Sequence, residues 1–153
     1  MGKRKKTKDP PPKWKTSGDW HTRYVVLFTD MLDSSAYTAL DAQARAVYQI
    51  LVEQYKGNYT GDQVKCPYST FEEHGIRRHV VSRALTQLEC YGFIDIDSGG
   101  LGHRPNIYYF SDRWKEVSRS TENIQAAKNA FNDEMSRRKK AQEFRRTYRK
   151  GLP

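Results

Sequence analysis

Three arginines, Arg77, Arg78 and Arg83, occur within seven consecutive residues. A guanidinium group donates hydrogen bonds in a fixed fork, so it can bridge O6 and N7 of guanine or bind a phosphate. Apolar residues recur beside the arginines at helical spacing. These residues are Val81, Ala84, Leu85 and Leu88. Burial of that apolar stripe turns Arg78, Ser82 and Arg83 outward, which predicts a cationic helix face suited to an anionic partner.

The other reactive side chains form no catalytic or metal-binding pattern. The chain has no HExxH, GxxxxGK or GxSxG motif, and Cys66 and Cys90 do not form a CxxC pair. A nicking enzyme with a tyrosine nucleophile would need a His-apolar-His triplet for its metal ion, and the histidines never form one. The histidines are His21, His74, His79 and His103. We therefore expect that the protein is not an enzyme and holds no cofactor and no metal ion.

The positive charge is concentrated at the two ends of the chain. The 153 residues carry 27 Lys+Arg against 18 Asp+Glu, a formal net charge of +9. Residues 1–16 hold seven basic residues against one acid (+6), residues 137–153 hold eight against one (+7), and residues 17–136 carry −4. Residues 1–19, with three consecutive prolines and few apolar residues, are predicted to form a disordered basic arm.

The basic ends are predicted to contact phosphate groups. The residues assigned to this role are Lys3, Arg4, Lys5, Lys6, Arg137, Arg138, Lys139, Lys140, Arg145 and Arg146. Two alternatives are a role in solubility alone and, in a eukaryotic chain, a nuclear import signal at residues 3–6.

No segment predicts a membrane span or a secretory signal. The longest wholly apolar run, Tyr24–Phe28, is far shorter than the roughly 20 residues that a span requires. The sequence therefore favours a soluble protein in the reducing cytoplasm.

The central region predicts three helices. After a short helix or strand and a turn within residues 24–40, Asp41 caps an amphipathic helix that extends to Tyr55, and a polar loop follows over residues 56–65. A capping box of Ser69 and Glu72 starts a short second helix that ends at His74 and Gly75. The third helix begins at Arg77 or Arg78 and ends at Tyr91, before Gly92.

The pattern then alternates, which predicts a β-hairpin. Its strands contain residues 93–97 and 107–110, and a glycine-rich loop over residues 98–105 joins them. A polar helix over residues 118–148 follows, either projecting from the body or pairing with a second copy, although Glu134 and Arg138 interrupt its apolar seam.

The segment Tyr68–Ile94 contains a helix, a Gly-Ile turn, a second helix and the string Leu-Glu-x-x-Gly-Phe-Ile. This order resembles the winged helix-turn-helix domain, and the likeness extends over residues 24–114. The chain is similar to winged-helix domains of bacterial, phage and plasmid replication proteins, and MarR- and GntR-type regulators share much of the pattern. The resemblance implies an α+β, mainly α fold, with three helices and a β-hairpin wing over residues 20–114 and a C-terminal helix with a basic tail over residues 115–153.

The resemblance also implies roles for individual residues. The third helix would enter the major groove of double-stranded DNA, and the hairpin tip would contact the backbone or the minor groove. The implied helix contacts are Arg77, Arg78, His79, Ser82, Arg83 and Thr86, and the implied wing contacts are His103 and Arg104. The alternatives are an ordinary solvated helix face and a plain surface loop.

The predicted function is DNA binding in replication initiation or transcription regulation, in the cytoplasm and associated with the nucleoid. A homodimer partner or a replication protein is a further predicted partner. Two other functions fit the sequence: a protein-interaction adaptor built on a winged helix, and an RNA binder that acts through its basic tails. Tyr48, Tyr55, Tyr91 and Phe93 fall at core-facing positions. Trp14 and Trp20 are better placed to stack on bases or to dock the N-terminal arm onto the domain.

Overall fold

The computed structural model describes residues 25–55, 63–99 and 105–150. Within these ranges the fold is α+β and mainly helical, which confirms the expected fold class. The elements in chain order are α1 Thr29–Leu32, α2 Ser35–Thr38, α3 Ala42–Gln54, β1 Gln63–Lys65, α4 Tyr68–Glu73, α5 Arg78–Cys90, β2 Ile94–Asp97, β3 Ile107–Phe110, α6 Trp114–Val117 and α7 Thr121–Lys150. The expected arm over residues 1–19 and the wing tip at residues 103–104 lie outside the described residues.

The segment expected to hold a short helix or strand and a turn contains two short helices, and α3 begins after Asp41 as the sequence predicts. Two one-turn helices, α1 and α2, flank a bend, and the Ser34 side chain accepts a hydrogen bond from the Tyr37 amide at 3.1 Å. The Oδ1 atom of Asp41 accepts one from the Ala44 amide at 2.8 Å. Both side chains satisfy amides at a helix N-terminus that have no partner within the helix.

The prediction of a polar loop over residues 56–65 was wrong at its end, because Gln63–Lys65 form strand β1. The strand pairs antiparallel with β3, with Val64 opposite Tyr108, and the sheet order is β1-β3-β2. A three-residue strand depends on its partner for hydrogen bonds and for burial of Val64, and that partner lies more than 40 residues away in the sequence.

The predicted hairpin and the predicted helix pair are both confirmed. Strands β2 and β3 pair antiparallel, with Ile94 opposite Phe110. Gly75 has a φ of +79° at the turn between α4 and α5. The prediction of a capping box at Ser69 and Glu72 was wrong. Helix α4 begins at Tyr68, after Pro67, and no side chain caps it. With the helix starting one residue earlier, Ser69 lies inside the first turn and not at the cap.

The core lies between α3, α5 and the sheet. Phe93 is fully buried, meets the rings of Tyr37 and Tyr48 edge-on and stacks on Trp114 with ring centres 6.1 Å apart. The expected burial of Tyr48, Tyr91 and Phe93 is confirmed, whereas Tyr55 is half-buried. The Cα atom of Gly92 contacts the backbone of residues 113–114 so closely that an added Cβ would lie 2.8 Å from Trp114 N.

The expected helix over residues 118–148 is the 30-residue helix α7, and the one-turn helix α6 precedes it. Ala127 and Phe131 of α7 are buried and Ile124 is half-buried against the body. Part of the predicted pairing surface is therefore used within the chain. Residues 139–149 are exposed throughout, and we call this segment the distal arm. None of the described helices combines the length and the apolar sequence that a membrane span requires.

Candidate nucleic-acid interface

Helix α5 presents its basic residues because its apolar stripe is fixed in the core. Val81 and Leu88 are fully buried, and Ala84 and Leu85 are at most 3% exposed. The glycine turn at Gly75 sets the direction in which α5 leaves α4. This packing places the first turn of α5 at the surface.

Three of the six candidate helix contacts, Arg77, Arg78 and His79, are exposed at that first turn, and we call them the cationic turn. The guanidinium carbon of Arg78 lies 5.2 Å from the ring centre of Tyr68, a cation–π distance that orients the side chain. Arg77 and His79 form no ion pair with the residues that the structure describes. Because a helix N-terminus carries a partial positive charge, the cationic turn is a centre of positive potential.

The next two candidates, Ser82 and Arg83, contact other parts of the chain. The Ser82 hydroxyl accepts a hydrogen bond from Nη1 of Arg138 in α7 at 3.3 Å. The Arg83 guanidinium lies 5.5 Å from the ring centre of Phe131 and 3.7 Å from Oδ2 of Asp41. Arg83 nevertheless keeps 55% of its side-chain surface exposed.

The prediction that Thr86, the sixth candidate, contacts DNA was wrong. Its side chain is 2% exposed, and its hydroxyl donates to the Ser82 carbonyl at 2.9 Å. The helical period places Thr86 on the side of α5 away from the core stripe, but α7 packs over that side. A side chain covered by a neighbouring helix cannot reach a DNA groove in this arrangement.

The basic residues of α7 divide into paired and unpaired groups. Glu134 accepts a hydrogen bond from Arg138 at 2.8 Å and forms an ion pair with Arg137 at 3.1 Å. The Arg138 hydrogen bond and then the two positive charges lower the pKa of Glu134, so this carboxylate stays ionised. Among the predicted phosphate contacts, the unpaired group consists of Lys139, Lys140, Arg145 and Arg146, which are exposed and form no ion pair within the described ranges.

The remaining reactive groups form no cluster. Cys66 is 1% exposed, and burial raises the pKa of its thiol to about 11. Nδ1 of His74 bonds the Thr70 carbonyl at 2.8 Å, and Nε2 faces Glu53 at 3.2 Å. Among the residues that the structure describes, no three His, Cys, Asp or Glu side chains are arranged to hold a metal ion.

Two surface features were missed in the sequence. The first is an apolar cleft of about 480 Å³ between the N-terminal segment, helix α3 and the end of strand β3, lined by side chains that include Val25, Phe28, Val52 and Phe110. The run Tyr24–Phe28 was its sequence signal, because these residues fit no amphipathic pattern. The second is a pair of exposed aromatic rings on the distal arm, signalled by their four-residue spacing.

Seven of the described candidates therefore form two exposed basic surfaces, three in the cationic turn and four in the distal arm. The structure brings α5 and α7 together through Ser82 and Arg138. The other candidates, Lys3, Arg4, Lys5, Lys6, His103 and Arg104, lie outside the described residues. Comparison with protein-family models, curated proteins and solved structures gave no match.

Proposed function

We propose that this chain is a winged helix-turn-helix protein that binds double-stranded DNA in replication initiation or transcription regulation. The observation that carries the proposal is the cationic turn, three exposed basic residues at the start of a 13-residue helix that follows a glycine turn. The order of elements supports it, since a helix pair is followed directly by a β-hairpin. The protein acts by binding and is neither an enzyme nor dependent on a cofactor.

The first turn of α5 is the base-reading part of the proposed interface. Arg77 and Arg78 have the donor geometry to bridge guanine O6 and N7, and His79 can contact a base or a phosphate. Arg83 would contact phosphate, because an exposed ion pair such as that with Asp41 contributes only about 0–1 kcal/mol and exchanges readily. Ser82 would contact DNA only if its hydrogen bond with Arg138 breaks.

The remaining basic residues would bind the DNA backbone without selecting a sequence. In the proposal, this group comprises the unpaired cations of α7, the paired residues Arg137 and Arg138, the N-terminal residues Lys3, Arg4, Lys5 and Lys6, and the wing residues His103 and Arg104. Their function is to neutralise phosphate charge and release counterions.

Selection of bound duplexes from a random library, repeated with an Arg77→Ala/Arg78→Ala variant, tests the proposal. We expect an enriched motif with the unaltered protein and a weaker or altered motif with the variant. Failure of the unaltered protein to shift any duplex at moderate salt would contradict DNA binding.

A second candidate function, a protein-interaction adaptor, is favoured by the apolar cleft. Val25, Val26 and Phe28 are 43%, 57% and 73% exposed, a concentration of apolar surface that often marks a protein contact. Under this alternative, Phe28→Ser abolishes capture of a protein partner, and DNA binding is absent or unaffected.

A further inference from the structure

The distal arm carries two large aromatic rings in water. Phe144 is 72% exposed and Tyr148 is 66% exposed. Their spacing of four residues places them on one side of α7, where they stack with ring centres 6.4 Å apart and planes inclined by 20°. Most of each ring surface is therefore open to a ligand.

Two cations flank this aromatic pair. Consecutive helical residues are about 100° apart, so Lys140 and Arg145 lie on either side of the aromatic stripe, whereas Lys139 and Arg146, seven residues apart, share the opposite side of the arm. Over residues 137–149 the sequence holds seven basic residues and one acid, Glu143. An occupant of this surface must be anionic and must also offer planar or apolar groups to the rings.

A second copy of the chain does not meet these requirements, because two arms side by side would bring like charges together. A membrane surface fits poorly as well. Ala141, Phe144 and Tyr148 span only about 60° of the helix circumference, narrower than the apolar face of roughly 100° that an amphipathic helix buries.

We propose that the distal arm binds single-stranded nucleic acid. Bases stack on the open faces of Phe144 and Tyr148, and the neighbouring lysines and arginines bind the phosphates. Because every base has a stacking face, the binding is tolerant of sequence. This activity goes beyond the proposed duplex binding, because it depends on Phe144 and Tyr148, which have no role there, although the cations of the arm serve both activities.

Fluorescence anisotropy with the full chain tests the proposal. The probes are thymidine and uridine oligonucleotides of about 16 nucleotides, an abasic strand of the same length and a duplex. We expect Phe144→Leu/Tyr148→Leu to weaken binding to both base-containing single strands at least about tenfold, since each stacked base contributes about 1–3 kcal/mol. The two strands show whether deoxyribose or ribose is preferred.

Leucine keeps an apolar side chain and a high helix propensity, so the variant should retain its helical circular dichroism. Tyr109→Leu, at a half-buried tyrosine of β3 outside the arm, is the matched control and should bind the single strands as the unaltered protein does. The single variants Phe144→Leu and Tyr148→Leu should each lose less single-strand affinity than the double variant. If the circular dichroism of the double variant changes, the single variants are used in its place.

Equal affinity of the unaltered protein for thymidine and abasic strands would overturn the proposal, as would single-strand binding that the leucine variant leaves unchanged. Binding to anionic phospholipid vesicles that depends on the two rings, with no binding to single strands, would assign the arm to membranes instead. Failure of duplex binding by the cationic turn has a different signature, because it leaves the single-strand affinities intact.

Discussion

At the scale of single residues, neighbouring contacts determine which candidate side chains can meet a ligand. Arg78 is held beside Tyr68 and remains exposed, whereas Thr86, eight residues further along the same helix, is buried. Exposure and partners, and not residue type alone, separate the proposed contacts from side chains that hold the fold together.

Arg78→Ala should weaken binding to a selected duplex by about 1–3 kcal/mol and reduce discrimination at one base position, because a bidentate donor is lost. Titration by fluorescence anisotropy measures both effects. Arg119→Ala is the matched control, since Arg119 is exposed but paired with Glu116 at 2.6 Å. An equal loss in both variants would show that only overall charge matters.

His74 should make stability depend on pH. Its hydrogen bond to the Thr70 carbonyl, followed by its contact with Glu53, raises the pKa of the imidazole. A raised pKa means that the folded state binds the proton more tightly, so the stabilisation is full below the unfolded pKa of about 6.5 and is lost as the pH rises through the folded pKa. Denaturant unfolding of the unaltered protein and His74→Gln should differ more at acidic pH than at alkaline pH, and a constant difference would contradict this.

At the scale of elements, the proximal half of α7 stabilises the body and the distal half does not. Phe131 is 6% exposed and Phe144 is 72% exposed, although both lie in the same helix. Phe131→Ala should lower the free energy of unfolding by about 3 kcal/mol through lost burial and a cavity, and Phe144→Ala should change it by less than about 0.5 kcal/mol. Chemical denaturation measures both, and similar losses would show that the arm packs on the body in solution.

Gly75 and Gly92 have the same positive φ but different surroundings, so the same substitution at both separates backbone strain from a steric clash. Both have φ of +79°, but an added Cβ meets nothing within 4 Å at Gly75 and lies 2.8 Å from backbone atoms at Gly92. Gly75→Ala should cost about 1–2 kcal/mol for the left-handed conformation alone. Gly92→Ala should cost at least about 1 kcal/mol more because of the clash, and equal melting temperatures would contradict the close approach.

At the scale of the whole molecule, the central region and the two ends of the chain carry opposite net charge. Under the proposed function, the acidic central region would repel DNA except near its exposed arginines, and the basic ends would attract phosphate without selecting a sequence. Affinity and specificity would then depend on different parts of the chain.

Replacing Lys139, Lys140, Arg145 and Arg146 by glutamine should weaken binding to all duplexes alike. The slope of log affinity against log salt should fall in magnitude by up to about 4, since each phosphate contact contributes about 0.9. Lys115→Gln/Lys128→Gln, which removes exposed cations nearer the body, is the control and should leave the slope almost unchanged. A preserved slope in the four-residue variant would remove the arm from the duplex interface.

The sequence by itself determined the local elements whose cause lies within a few residues. The Asp41 cap, the apolar stripe of α5 and the glycine turn all depend on near neighbours, and the structure confirms each of them. The alternating pattern over residues 93–97 and the β-rich run over residues 107–110 likewise predicted the two strands of the hairpin, which pair antiparallel.

The tertiary structure alone decided the features that depend on distant partners. Strand β1 exists because β3 pairs with it, and Thr86 is buried because α7, some 40 residues later, crosses the face that helical periodicity leaves outward. Periodicity locates a side chain on its own helix but carries no information about what packs there. That is why the base-reading part of the proposed interface contracts from most of α5 to its first turn, while the distal arm remains open to a ligand.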